Sequence, residues 1–356
     1  MFRILTLVIS LLLVPCLTMS LPPLITLEEH FVSEIPAGLG EAWSDFFVKR
    51  PGLQDKLFDL SDLRLRDMDE GKVSLQIISH AAGLIDPTAC RTANDKLAAA
   101  IQAEERRGGG SARQGKSKYA GFAVLPMGDP DKAATELHRA VTELGFVGAL
   151  IDNHARGRFY DGDEYDIWWA AVEELGVPIY LHPTFASEHD LGARYKGPNY
   201  NDSTARSLST STYGWHTETG LHILRLFASG LFDRRPGLKI VIGHMGETIP
   251  FMLERIDRLS RFWDEERRRD FKTVYDENIW ITTSGVWGLA PMRCILANTK
   301  IDHIMYSVDY PFTASKVGLD WMLELQKSGL VNETEFDAIA YKNAENLLGL
   351  TAPPRV

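Results

Sequence analysis

The stretch LITLEEHF, residues 24–31, begins as an apolar strand and ends on two glutamates and a histidine. A buried strand does not normally end in three ionisable side chains, so these groups are expected to bind something. Alternate residues of a strand share a face, which puts Glu28 and His30 on one side and Glu29 on the other. We therefore expect Glu28 and His30 to hold one ion together, with Glu29 supporting them from behind.

Seven further β-rich runs follow, and most are apolar throughout, as in strands that are buried on both faces of a parallel sheet. Amphipathic segments rich in Ala, Leu and Glu separate them. This β/α alternation predicts an α/β protein with a (β/α)8 TIM barrel, and an open doubly wound sheet is the alternative. No glycine-rich phosphate-binding turn follows any run. The eight runs are 24–29, 73–79, 119–125, 146–152, 177–182, 238–244, 279–285 and 303–309.

The composition is that of a globular protein, with 45% hydrophobic and 24% charged residues. A formal net charge of -10 makes nucleic acid a poor candidate partner. Residues 1–20 carry a positive start and the apolar run ILTLVISLLLVPCL, which predicts a cleavable signal peptide and no stable membrane span after cleavage. A retained anchor or a wrongly assigned start is the alternative. Residues 21–356 are expected to form a single barrel domain.

Ionisable side chains recur at the carboxyl ends of the predicted strands. Glu28 and His30 end strand one, His182 ends strand five, His244 ends strand six and Asp309 ends strand eight. In a parallel barrel these ends meet on one face, where the active sites of this fold lie. Two of these three imidazoles together with the two carboxylates suit one divalent ion of borderline character, Zn²⁺ or Mn²⁺, whereas Mg²⁺ prefers oxygen alone.

The sequence GHMGE, residues 243–247, places His244 and Glu247 three residues apart at a strand-to-helix turn. A carboxylate at this spacing can orient the imidazole and raise its basicity, as in a general acid/base pair. The alternative is that Glu247 only caps the next helix. Arg255 lies two turns into that helix and on spacing alone is a surface or ion-pair arginine. The remaining histidines considered are interpreted as structural: His80, His189, His216 and His222.

Four motifs together resemble the amidohydrolase-related metal-dependent decarboxylases: ITLEEHF, ELGVPIYLHP, GWHTETGLHILRLFASGLFDRRPGLKIVIGHMGE and SVDYPF. The nearest members look like 2,3-dihydroxybenzoate, salicylate and γ-resorcylate decarboxylases, and aminocarboxymuconate-semialdehyde decarboxylase is more distant. The resemblance implies a distorted (β/α)8 barrel of the metal-dependent hydrolase type that binds one divalent ion. It also implies a homodimer or homotetramer and a cytoplasmic enzyme, whereas the leader suggests the secretory pathway.

The resemblance also assigns residues, motif by motif. It implies an acid/base pair of His244 and Glu247, and an arginine near the site at Arg255. Hydrolytic amidohydrolases usually have His-x-His on strand one, and Glu28 replaces the first histidine here, which points towards decarboxylation. Phe312 is a candidate contact for the substrate ring. The implied metal ligands are Glu28, His30, His182 and Asp309, with Zn²⁺ the expected ion and Mn²⁺ or Mg²⁺ as alternatives.

These observations predict a carboxy-lyase that removes CO₂ from an ortho-hydroxy aromatic acid such as 2,3-dihydroxybenzoate. Asp309 is the predicted acid that protonates the ring carbon, and His244, held by Glu247, acts on the phenol. One alternative is a metal-dependent hydrolase of a lactone or amide on the same barrel, with a metal-bound hydroxide as nucleophile. Another is a binding protein that has lost catalysis, which an intact metal quartet disfavours.

Overall fold

The structure, a computed structural model, describes residues 21–107, 117–263 and 267–353. The predicted signal peptide, residues 1–20, lies outside these ranges. Eight strands are found where the sequence predicts them, and most are shorter than predicted. They are β1 (Ile25–Phe31), β2 (Leu75–His80), β3 (Tyr119–Gly121), β4 (Ala149–Asp152), β5 (Ile179–His182), β6 (Ile240–Ile242), β7 (Ile279–Thr282) and β8 (Ile304–Met305).

All strand pairs are parallel, and they form two sheets, β1-β2-β3 and β4-β5-β6-β7-β8. Spatial order follows chain order, as in a barrel and unlike a doubly wound sheet. An isolated parallel bridge between Ala123 and Ala149 joins the sheets on one side. On the other side the His30 N–H donates to the Tyr310 carbonyl at 2.6 Å. The fold is therefore a distorted (β/α)8 barrel, as predicted.

Helices connect the strands and cover the barrel, and no helix in the described part of the chain is long and apolar enough to cross a membrane. Four short 3₁₀ or π turns accompany them. The α-helices are α1 (Gly40–Lys49), α2 (Leu53–Phe58), α3 (Asp62–Glu70), α4 (Pro87–Arg107), α5 (Pro130–Thr142), α6 (Asp166–Leu175), α7 (Glu188–Asp190), α8 (Asp202–Ser209), α9 (Gly214–Ala228), α10 (Leu231–Arg234), α11 (Ile249–Ser260), α12 (Phe271–Asn278), α13 (Leu289–Asn298), α14 (Ser315–Ser328), α15 (Glu333–Asp337) and α16 (Asn343–Leu348).

The barrel interior is apolar at the amino ends of the strands. Side chains from the starts of β1 and β2, such as Ile25 and Leu75, pack there against Leu347 and Leu348 of α16. Each buried aliphatic side chain of this kind contributes about 1.5–3 kcal/mol relative to exposure. This end of the barrel is therefore closed by apolar packing.

A separate apolar cluster covers part of the carboxyl face. Trp43 of α1 is its buried centre, and Phe46, Phe185 and Phe312 pack around it with ring centroids 5.8–6.4 Å apart. Helix α1, together with Phe185 after β5 and Phe312 after β8, thus forms an aromatic wall over the strand ends that carry the ionisable groups.

Candidate metal and catalytic centre

Glu28, His30 and His182 form one buried group whose ligand atoms all lie within 4.8 Å of one another. Nε2 of His182 is 3.2 Å from Oε1 of Glu28. Glu28 Oε1 and His30 Nε2 have no hydrogen-bond partner, although both atoms are buried. Buried polar atoms without partners are rare, and a carboxylate with two imidazoles is a donor set suited to Zn²⁺ or Mn²⁺. The residues therefore fit one divalent metal ion.

Asp309 approaches this group through His30, and its Oδ1 lies 3.4 Å from His30 Nε2. Its backbone is left-handed, with φ of 72°, a conformation that L-residues seldom adopt. Its side chain lies at the barrel mouth, where it lines the cavity described below. Burial and the charge of Glu28 raise the pKa of Asp309 to about 8. The structure thus gathers three of the four predicted ligands tightly and sets the fourth beside them.

Neighbouring hydroxyl groups hold the second oxygen of Glu28. The hydroxyls of Tyr180 and Ser284 both donate to Oε2, and Thr282 Oγ1 lies 2.7 Å from the Tyr180 hydroxyl. Burial acts to raise the pKa of Glu28, but His244 and His182 outweigh it and hold the pKa well below its usual range. Tyr180 precedes His182 by two residues on β5, so strand alternation could have predicted it, whereas nothing in the sequence indicates Ser284.

Two buried ionisable groups, Arg64 and Glu29, support the cluster from behind, and burial raises the pKa of Glu29 to about 8. The Arg64 guanidinium donates to the His30 carbonyl and, at 3.2 Å, to Gln76. The Glu29 carboxylate accepts hydrogen bonds from the N–H groups of Val308, at 3.1 Å, and Tyr310, at 2.9 Å. Glu29 therefore clamps the backbone on both sides of Asp309, a supporting position of the kind that strand alternation predicts.

His244 and Glu247 form the predicted pair, with Nδ1 of His244 2.7 Å from Oε1 of Glu247. Nε2 of His244 is 3.6 Å from Glu28 Oε1, so the imidazole joins the pair to the metal group. Burial acts to lower the pKa of His244, but Glu28 and Glu247 raise it to about 10. Burial acts to raise the pKa of Glu247, but the two imidazoles beside it, His244 and His216, lower it to about 2.

The turn that carries this pair is left-handed throughout. Residues 244–248 all have φ between 50° and 90°, and Gly246 is the only glycine among them. Each non-glycine residue in this region costs on the order of 1–3 kcal/mol, which surrounding contacts must offset. Contacts from β7 and the residues after it do so: Met245 N–H donates to the Thr282 carbonyl at 2.9 Å, and His244 N–H to the Ser284 hydroxyl at 3.2 Å.

These groups face a cavity of about 270 Å³ whose walls are largely aromatic. Phe312 lines it, with its ring centroid 5.8 Å from that of His30. Arg50 lies exposed at its mouth and stacks on Phe46 at 5.0 Å; among the described residues it has no ion-pair partner. A second chamber of about 410 Å³ adjoins it and shares part of this wall. The sequence did not single out Arg50 because no strand-end position marks it.

Arg255 is not brought to this site. It lies on the exposed side of α11 and is absent from the cavity lining, so within the chain it does not contact the predicted substrate position. Of the histidines interpreted as structural, His80 accepts from the Ser33 N–H, His222 from the Tyr160 N–H, and His189 is exposed. His216 differs, because it lines the cavity and contacts Glu247.

The chain is similar in sequence to known proteins along most of its length. The amidohydrolase family model matches residues 48–350. Decarboxylase orsB of Emericella nidulans is 49% identical over 332 residues, which cover 92% of this chain and 97% of that protein. The γ-resorcylate decarboxylase of Rhodococcus jostii is 36% identical over 352 residues, covering 92% and 98%.

A solved structure gives the same result. The dihydroxybenzoic acid decarboxylase of Polaromonas sp. JS666, crystallised with manganese and the inhibitor 2-nitroresorcinol, has a TM-score of 0.79 and 33% identity, and covers 92% of this chain and 97% of its own. The metal in that relative is manganese, so the expectation of zinc is not confirmed. The chain belongs to the amidohydrolase family, among relatives that are decarboxylases.

Proposed function

We propose that this protein is a metal-dependent, non-oxidative decarboxylase of an ortho-hydroxy benzoic acid. One observation carries the proposal: His30 and His182 of the buried metal group and His244 of the His244–Glu247 pair line the same aromatic-walled cavity. This arrangement supplies a cation site, a polar group for a phenol and apolar surfaces for a ring. The carboxy-lyase relatives support the same reaction class.

Each side chain has a proposed role. Glu28, His30 and His182 hold the ion, with Asp309 as a fourth ligand, and the bound ion would supply Lewis-acid charge for the carboxylate and its ortho oxygen. Phe312 packs on the ring, and Arg50 attracts the anionic acid at the mouth. His244, oriented by Glu247, polarises the phenol by donating a hydrogen bond from Nε2 to the phenol oxygen, since its pKa of about 10 keeps the imidazole protonated at neutral pH.

Asp309 is the proposed proton donor to the ring carbon that bears the carboxylate. Protonation makes that carbon tetrahedral, so the bond to the carboxylate can align with the electron-poor ring. That bond then breaks, its electron pair restores the aromatic ring, and CO₂ leaves. The proton gained by the carbon balances the CO₂ lost, and no oxidant is required.

The proposal also concerns which hydroxybenzoate is the substrate and which metal ion is bound. A 2,3-dihydroxybenzoate-like acid fits the ortho-hydroxy requirement, while the names of the γ-resorcylate relatives favour the 2,6-dihydroxy isomer. Zn²⁺ and Mn²⁺ both suit the ligand set, and the manganese-containing relative supports Mn²⁺. Arg255 as a substrate ligand remains a proposal that requires a second copy of the chain.

One assay tests the proposal. Purified protein, stripped of metal and reloaded with Mn²⁺ or Zn²⁺, is incubated with 2,6-dihydroxybenzoate, 2,3-dihydroxybenzoate, salicylate and 3-hydroxybenzoate, and with a lactone and an anilide as controls. We expect CO₂ release from at least one hydroxybenzoate, and none from 3-hydroxybenzoate, which lacks the ortho hydroxyl. Acid production from the lactone or anilide without CO₂ would instead support the hydrolase, and no product from any compound would refute both enzymatic readings.

A further inference from the structure

The Glu247 carboxylate is shared between two imidazoles. Its Oε1 lies 2.7 Å from Nδ1 of His244, and its Oε2 lies 2.8 Å from Nδ1 of His216. Glu247 is fully buried, whereas the His216 side chain is 20% exposed. His216 therefore contacts the buried pair from its partly exposed side.

Hydrogen-bonding capacity fixes what His216 does there. Glu247 is ionised, because its pKa is lowered to about 2, so it can only accept. The other nitrogen of His216, Nε2, lies 3.2 Å from the Ser211 carbonyl, which also can only accept. The ring of His216 therefore lies between two acceptors, and Nδ1 is the donor to Glu247.

Helix α9 holds this arrangement against the left-handed turn. His216 is the third residue of α9, and Gly220, one turn later, lies on the same face. A Cβ at Gly220 would come within 2.7 Å of the Glu247 carbonyl, so the helix packs directly on the turn. The ring of His216 also lies 4.6 Å from the ring of His244, at an angle of 63°.

We propose that His216 is a positioning residue that anchors Oε2 of Glu247, so that Oε1 stays on Nδ1 of His244 and Nε2 of His244 faces the substrate. The expected effect on kcat rests on the proposed function, whereas the expected effect on the orientation of His244 does not. Without this anchor the Glu247 side chain is free to rotate, and His244 loses its fixed orientation. Outer partners of this kind are commonly worth 10- to 100-fold in activity.

Two substitutions separate the hydrogen bond from the volume of the ring. In His216→Asn the amide nitrogen takes the place of Nδ1, so the contact with Glu247 survives, whereas His216→Leu fills the space without a donor. We expect His216→Leu to lower kcat about 10- to 100-fold with KM changed less than about twofold, and His216→Asn to recover most of that loss. His189→Asn, a change at an exposed histidine, is the matched control and keeps the wild-type rate.

A double-mutant cycle with Glu247→Gln tests whether His216 acts through Glu247. If it does, adding His216→Leu to Glu247→Gln lowers kcat less than about twofold further, because the carboxylate to be anchored is already gone. An equal loss in both backgrounds would overturn the proposal, as would an unchanged kcat in His216→Leu. A rise in KM with kcat unchanged would overturn it in favour of a direct substrate contact.

A readout without substrate keeps failure of this inference distinct from failure of the proposed function. In proton NMR spectra of the protein, the downfield Nδ1–H signal of His244 is assigned by its disappearance in His244→Asn. We expect this signal in the wild type and in His216→Asn, and its loss or broadening in His216→Leu. Retention in His216→Leu would refute the positioning role, even if the wild type decarboxylates none of the acids. Thermal unfolding confirms that each variant is folded.

Discussion

The clamp that Glu29 makes on the loop after β8 gives the sharpest test of how the site is built. Its two oxygens accept from the buried N–H groups of Val308 and Tyr310, which flank Asp309. Removing a partner from a buried N–H costs about 1–3 kcal/mol. Glu29→Ala removes both partners, so we expect it to lower the free energy of unfolding by about 2–6 kcal/mol, a large part of a typical total of 5–15.

Glu29→Gln separates the two hydrogen bonds. The amide keeps one oxygen as an acceptor, but its NH₂ group must face the other N–H, a donor against a donor. We therefore expect a smaller loss of about 1–3 kcal/mol, with kcat lowered because Asp309 is held on one side only. Glu105→Gln, at an exposed position of α4, is the matched control and should stay within about 0.5 kcal/mol of the wild type.

The measurement is urea unfolding of the metal-loaded protein, followed by circular dichroism, with kcat determined on the same preparations. A loss below about 1 kcal/mol in Glu29→Ala would refute the reasoning, because two unpaired buried donors cannot be accommodated at that cost. So would wild-type kcat in Glu29→Ala, since Asp309 would then hold its position without the clamp.

Three further predictions follow from the same contacts. Gly243→Ala places a Cβ against the Glu28 carboxylate, so the metal content of the purified protein should fall and its affinity for the metal ion should weaken about 10- to 100-fold. Gly128→Ala, which has open space around it, is the control and should bind metal normally. Burial lowers the pKa of His222 to about 3, whereas its ordinary value of 6.5 applies in the unfolded chain, so protonation of this group favours unfolding as the pH falls. Its share of the fall in unfolding free energy should be about 2 kcal/mol from pH 7 to pH 5, and in urea titrations His222→Gln should lose about 2 kcal/mol less than the wild type over that range. Arg50→Met should raise KM about fivefold at low salt with kcat unchanged. If KM at low salt is the same in Arg50→Met as in the wild type, Arg50 does not attract the substrate electrostatically.

Much of the site follows from strand periodicity. Glu28 and His30 share a face because they are two residues apart, and His182 reaches the same point because it ends a parallel strand. These rules require only local sequence and the barrel, so the three-residue metal group could be predicted. Glu29, on the other face of the same strand, could be assigned a supporting position for the same reason.

Other parts depend on contacts that local sequence does not encode. β6 ends at Ile242 and β8 at Met305, earlier than predicted. His244 and Asp309 therefore lie in the loops that follow these strands and not in the strands themselves. The partner of Glu247 on α9, His216, is 31 residues away in sequence, and its role depends on how that helix packs. Arg255 shows the converse, since helical spacing gives its position along α11 but not whether that side faces the cavity.

The left-handed turn at residues 244–248 has a consequence for how the enzyme loses activity. Its backbone is intrinsically unfavourable at four of five positions, and it persists only while β7 and α9 press against it. Segments whose backbone conformation is maintained by contacts with neighbouring elements, and not by the conformational preferences of their own residues, are expected to open locally at low cost. Inactivation at low urea concentrations should therefore precede the loss of helical circular dichroism, leaving an intact scaffold whose acid/base pair has already dispersed.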